Sequence, residues 1–338
     1  MQKNMTGILI ETTIKNIFRQ IKDDPERSIR NAIDMALNFT NGRFQEHFLT
    51  AAQTMLKNEQ SCYYKLIPDL VSHADEKRII TFGMNIGYNS CTLGAQKIRE
   101  IEAREQYNVP WSVFLEIESN EYSKNKSSYH SLIEQGMHMG IYTWMLHPRG
   151  NLGPILELAT HFHDCAFPIF CLPEEISPAL LDDINDIPNI MLIVRYSEGI
   201  ESTCELLRSR NMLYSISVPM SVTDISSLDI ENILCDAENM HSLFTIFTGT
   251  ERYSAKQRSA FYQHILKIRT EQKYRTIPFD LIGDTLFIDS IISDDACSIG
   301  FTKKGDCYLF NDQTPQNYNF FHRKLSEILS AVTPKKNI

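Results

Sequence analysis

The sequence predicts an α/β fold in which a helical opening precedes short apolar strands alternating with helices in a partial barrel. Three observations carry that prediction. First, six segments are short and rich in Ile, Leu, Val and Phe: WSVFLEIE (111–118), GIYTWMLH (140–147), AFPIFCL (166–172), NIMLIVRY (189–196), MLYSISV (212–218) and SLFTIFTG (242–249). Second, segments of helical character separate most of them, and strands alternating with helices form a parallel sheet covered on both faces. Third, six such units suit an open or partial (β/α)6 barrel, where eight would close one. A doubly wound sheet is the alternative.

The opening, residues 1–74, reads as a helical module. Ile8, Ile10, Ile14, Ile17, Phe18 and Ile21 recur at helical spacing. Asp24 is placed to cap a second helix with Pro25 at its first position, and Asn41-Gly42 breaks the chain. In a third helix Phe44, Phe48, Ala51, Ala52 and Met55 share one face. Residues 75–275 hold the strand-and-helix alternation. Residues 276–338 form a small C-terminal appendage, with strand-like pieces, Gly283-Asp284 and Gly305-Asp306 turns, and a helix near NFFHRKLSEILSAV.

Composition narrows the function classes. Hydrophobic residues at 43% and charged residues at 22% supply an ordinary globular core. A net charge of -9 argues against a nucleic-acid partner, which requires clustered Lys and Arg. No apolar run nears the roughly 20 residues that span a bilayer, and the N-terminus lacks a signal-peptide core, so a cytoplasmic location without membrane contact is expected. The eight cysteines are scattered with no C-x-x-C pair, and reduced thiols are expected. Walker A, G-x-G-x-x-G and G-x-S-x-G signatures are absent.

Several phrases, in their order, resemble radical-SAM enzymes. NVPWSVFLEIE is similar to the lead-in and first barrel strand of that superfamily. LIEQGMHMGIYTWML resembles its following helix and second strand, DCAFPIFCLPEEISPALLDD its third strand and helix, and LLRSRNMLYSISVPMS its fifth strand. ACSIGFTKKGDCYLFND resembles the start of its auxiliary segment, with Cys297 at a matching position and Cys307 slightly offset. The resemblance implies a radical-SAM-type partial barrel, and it runs from about residue 75 to 312.

The departures from the family pattern bear on chemistry. Radical-SAM enzymes bind a [4Fe–4S] cluster through C-x3-C-x2-C in the loop after the first strand, and such clusters require thiolate ligands. The corresponding stretch here, EIESNEYSKNKSSYH, has no cysteine. The family's Gly-Gly-Glu-Pro phrase after the second strand is replaced by His147-Pro148-Arg149-Gly150, which puts a cation where a carboxylate would attract the methionine ammonium. No cofactor, metal ligand or catalytic residue is therefore expected.

The candidate ligand-binding residues are Glu116, Glu118, Arg149, Arg195 and Ser217. Glu116 and Glu118 share one strand face near a barrel mouth, where paired carboxylates bind a cation or do acid–base work; alternatively they begin a solvated loop. Arg149 and Arg195 follow strands and either clamp an oxyanion or pair internally with Glu116 and Glu118, the reading we favour. Ser217 matches a polar residue of the family. His161, His163 and Cys165 read as a helix terminus rather than a zinc site. Cys297 and Cys307 could pair across a hairpin or hold part of an auxiliary metal, although two thiols alone do not make a cluster site.

The reading is of a non-catalytic radical-SAM-like accessory protein that binds a peptide or a partner maturase in a peptide-maturation system. The alternatives are an enzyme with cluster-independent chemistry at the mouth, and an iron–sulfur protein whose cysteines gather from distant positions.

Overall fold

The computed structural model describes residues 5–21, 24–38, 42–220, 229–249, 254–293, 295–310 and 315–335. Asn41 of the expected break, Ser221, Asn311 and Asp312 lie outside these residues, as does the side chain of Phe44. The chain opens with α1 (Met5–Ile21), α2 (Pro25–Asn38), α3 (Arg43–Met55), α4 (Tyr63–His73) and α5 (Glu76–Met84), then a π-helical stretch (Asn85–Gly94) and α6 (Ala95–Glu105). Alternation follows: β1 (Ser112–Glu118), α7 (Ser119–Met139), β2 (Thr143–Arg149), α8 (Leu156–His161), β3 (Phe167–Cys171), α9 (Pro178–Ile184) and β4 (Ile190–Arg195). It continues with α10 (Ile200–Ser209), β5 (Tyr214–Met220), α11 (Ile230–Asn239), β6 (Phe244–Gly249), α12 (Ala255–Glu271), β7 (Ile277–Asp280) and α13 (Leu281–Ile292). The chain closes with β8 (Ile299–Phe301), β9 (Asp306–Leu309), β10 (Pro315–Asn319) and α14 (Leu325–Val332). The class is α/β with mostly parallel strands.

Two compact units divide the chain, Met1–Thr81 with Leu192–Asp284, and Phe82–Met191 with Thr285–Ile338. In the first, β4, β5, β6 and β7 pair in parallel in that order. Val218, Phe247, Leu234, Phe261 and Ile265 form its core. The helical module belongs to this unit. Asp24 accepts the Arg27 N–H and so caps α2 as its side chain predicts. Ile21, Ile29, Leu56 and Tyr64 build the module's small core. Phe48 and Ile8, expected on packed faces, are 58% and 52% exposed. Cys62 N–H donates to the Gln272 carbonyl and Asp75 N–H to that of Asn211, which ties α4 and its flanks to the strand-bearing part.

In the second unit the strand order is β10-β9-β8-β1-β2-β3. β1 lies between β2 and β8, parallel to both, while β8–β9 and β9–β10 are antiparallel. β1 alternates: Val113, Leu115 and Ile117 are buried, and Phe114, Glu116 and Glu118 are partly exposed. Gly300 on β8 sits opposite Tyr308 on β9, and a β-carbon there would overlap the Tyr308 ring. Gly300→Ala is expected to cost about 1–3 kcal/mol, as overpacking does. A denaturation midpoint equal to the parent's would contradict that close approach.

Two expectations are corrected. Gly283 and Asp284 lie inside α13 rather than in a turn, because Asp284 is held in the helix's first turn by ionic and hydrogen-bond partners described below. The stretch 119–126, expected as a loop before a helix near Ser127, is helix from Ser119 onward with one non-helical residue, Asn125, at φ -116°. A polar side chain sets that start: Glu118, the last residue of β1, accepts the Glu121 N–H at 3.0 Å and caps α7. The appendage also contributes more sheet than expected, since Ile277–Asp280 extends the parallel run beside β6 and β8 joins β1.

Candidate functional site

In the second unit, register brings three of the five candidate residues onto one face. Glu116 stands opposite His147, and Glu118 opposite Arg149. These positions close the C-terminal ends of β1 and β2, the edge where parallel α/β sheets place ligands. Below them the face is aromatic. The Phe114 ring contacts those of His147, Phe170 and Phe310 at 5.8–5.9 Å. Tyr308 is buried, and burial followed by the Glu116 charge raises its pKa well above the ordinary phenol value. An aromatic floor rimmed by carboxylates and an imidazole suits a cationic or aromatic side chain.

The expected internal ion pairing does not form within this unit. Among the described residues no ion pair joins Glu116 or Glu118 to Arg149. Glu118 caps α7 instead, and the Arg149 side chain is exposed. The physical reason lies in the strand end, where backbone donors at the start of α7 take the carboxylate and solvent takes the guanidinium. The loop after β2 is stapled to the same helix start. The Ser119 hydroxyl lies 3.0 Å from the Arg149 carbonyl and 2.9 Å from that of Asn151. Gly150 turns there at φ +86°, and a β-carbon on it would stand 2.9 Å from that hydroxyl.

Arg195 and Ser217 belong to the first unit, on β4 and β5, and face each other in register. Arg195 is exposed and Ser217 is buried. The Ser217 carbonyl accepts the Tyr196 N–H at 2.7 Å. His161, His163 and Cys165 do not converge. His161 packs edge-on against His130 and Phe162, the His163 side chain is 75% exposed, and Cys165 is buried with its carbonyl accepting from Asn85 and Asn189. Neither Cys297 nor Cys307 is in a disulfide; Cys297 lies 3.2 Å from the Ser293 hydroxyl.

A second cluster escaped the sequence reading. In the first unit Asp280 ends β7, with its backbone N–H donating to Asp284 at 2.9 Å. One carboxyl oxygen, Oδ2, is buried without a partner and lines a cavity of about 20 Å³ with Arg258, Met220 and Phe247. Burial raises the Asp280 pKa to about 6, with the Asp284 charge adding to the rise. The folded state thus binds this proton more tightly than the unfolded chain, so stability from this group falls as pH rises from about 4 to about 6. Asp280→Asn is expected to be more stable than the parent by about 2–3 kcal/mol at pH 7.5 and equal to it below pH 4. Melting curves across that range check it; a constant offset at all pH values would contradict it.

Among the described residues no group of three or more His, Cys, Asp or Glu side chains is placed to hold a metal ion, and no helix is long and apolar enough to cross a membrane. No family model matches the chain, and no curated protein does. Among solved structures, the chain is similar to Streptococcus suis SuiB bound to S-adenosylmethionine, with a TM-score of 0.49, 8% identity, and coverage of 69% of this chain and 66% of that one. It is likewise similar to SuiB bound to the precursor peptide SuiA, with a TM-score of 0.49, 6% identity, and coverage of 69% and 67%. The chain spans just under two thirds of the length of the first of these.

Proposed function

We propose that this chain is a radical-SAM-like partial barrel without radical chemistry, an accessory protein that binds a peptide or a partner enzyme in a peptide-maturation system. The reading starts from the resemblance of NVPWSVFLEIE and the phrases after it, and from the missing C-x3-C-x2-C. One structural observation carries it: β1 passes into α7 with no intervening loop, because Glu118 is both strand end and helix cap. A radical-SAM cluster needs three thiolates in a loop at that point. Ser119, Asn120 and Glu121 stand there instead, and Ser119 is tied to the backbone after β2. The residues present do not fit the cluster.

What remains at the strand ends is suited to recognition. Phe114, half-buried and backed by the buried Phe170, offers apolar contact, and Glu116 and Glu118 offer charge for a Lys or Arg side chain. The helical module adds exposed Ile8, Leu9, Met35 and Phe48 on the surface of the first unit. Glu116, Glu118 and Arg149 serve as ligand contacts of one unit and Arg195 and Ser217 as contacts of the other.

The test is a library of synthetic peptides titrated against the full chain and against Glu116→Gln. Retained peptides are expected to carry Lys or Arg and to lose affinity about tenfold in the variant, the worth of one charge-assisted hydrogen bond. A library with no retained peptide, or retention independent of Glu116, would overturn the reading.

A further inference from the structure

Away from the strand ends, the second unit carries a groove of about 420 Å³ between α7 and the segment Phe320–Lys324. One wall is built from Ser127, Ser128 and Ser131, and the other from His322, Arg323 and Lys324. No carboxylate lines it; Glu134 and Glu327, the nearest acids along the chain, lie outside the lining. In a chain of net charge -9, a groove that gathers Arg323, Lys324 and three serine hydroxyls with no carboxylate in its lining runs against the general balance.

The walls are ordered for donation. Gln135 fastens them together, its carbonyl oxygen accepting the Leu325 N–H at 2.9 Å and its amide donating to the Ser131 hydroxyl oxygen at 3.0 Å. Ser131 accepts in that bond, so its own proton is available to the groove. Among the described residues, neither Ser127 nor Ser128 bonds back to the helix backbone, whereas Ser123 does so to Ser119. The Arg323 guanidinium is held 5.2 Å over the Tyr318 ring. Phe320 and Phe321 supply an apolar side to the same groove.

We propose that this groove binds a small phosphate monoester, the dianion on Arg323, Lys324 and the serine hydroxyls and the organic group against Phe321. The chemistry is that of a tetrahedral oxyanion with several acceptor oxygens, matched by an arginine fork, a lysine point charge and hydroxyl donors. The volume exceeds that of a bare phosphate and lies in the range of small-molecule sites. The proposal goes beyond the peptide-binding reading and does not depend on it.

Calorimetric titration of the full chain with phenyl phosphate and with inorganic phosphate tests it. Saturable binding of both is expected, with phenyl phosphate tighter by about three- to tenfold for its ring contact. Arg323→Gln with Lys324→Gln is expected to weaken binding at least about tenfold, and Ser128→Ala with Ser131→Ala to weaken it severalfold from the other wall. Lys303→Gln, an exposed cation outside the groove, is expected to bind as the parent does. All these side chains are partly or fully exposed, so unchanged melting curves accompany the losses. No saturable binding of phenyl phosphate, or equal loss in Lys303→Gln, would overturn the proposal.

Discussion

Asp289→Ala is expected to lower the stability of the protein by about 3–5 kcal/mol, because it strands several buried donors at once. Asp289 is fully buried in α13. It accepts the Trp111 N–H at 3.0 Å, the Cys297 N–H at 3.1 Å and the Ser298 hydroxyl. Those three partners lead into β1 and β8, so one carboxylate organises the approach to two neighbouring strands. Burial pushes its pKa up to about 7 while the donors pull it down. Asp289→Asn is expected to recover only part of the loss, since an amide accepts through a single oxygen. Urea denaturation of the three proteins checks the order. An alanine variant within 1 kcal/mol of the parent would show that these donors find other acceptors.

Asp284→Ala is the second large effect, again about 3–5 kcal/mol, for a different reason: it leaves a buried cation unpaired. Arg269 donates to both Asp284 oxygens, at 2.9 and 2.6 Å, with side-chain exposures of 17% and 5%. Asp284 also takes the Asp280 N–H, and the Arg269 Nε donates to the Pro278 carbonyl at 3.0 Å. Together these bonds fix the β7–α13 corner. Arg269→Met with Asp284→Leu is expected to restore most of the loss, since replacing both partners removes the uncompensated charge. A double variant no more stable than Asp284→Ala would contradict the ion-pair origin of the effect.

The strands were the most legible part of the sequence. NIMLIVRY and MLYSISV are short apolar runs bounded by polar helices, and burial on both faces leaves such a pattern. IPFD was less legible, being four residues long with an internal proline, although it pairs beside β6. The helix start at Ser119 was hidden because SNEYSKNKSS is polar and weak in helix propensity; its cap comes from Glu118, read as a ligand contact. Gly283-Asp284 imitated a turn because its stabilising partner, Arg269, is remote in sequence.

The buried carboxylates of α13 carry a readable signal in the sequence. LIGDTLFIDSII places Asp284 and Asp289 in a mostly apolar helix, and acids in such a setting require partners. The candidate site was half legible. Strand-end position and period-2 alternation put Glu116 and Glu118 on one face with Phe114, while the fate of Arg149 depended on capping and solvation that no local pattern encodes. The hydroxyl and cationic walls of the α7 groove come from segments nearly two hundred residues apart, joined through Gln135 and Leu325.

Anaerobic reconstitution of the full chain with iron and sulfide, followed by iron analysis and incubation with S-adenosylmethionine, tests the central claim most directly. Iron at the level of a cysteine-free control and no cleavage of the sulfonium are expected. About four irons per chain with reductive cleavage of S-adenosylmethionine would contradict it.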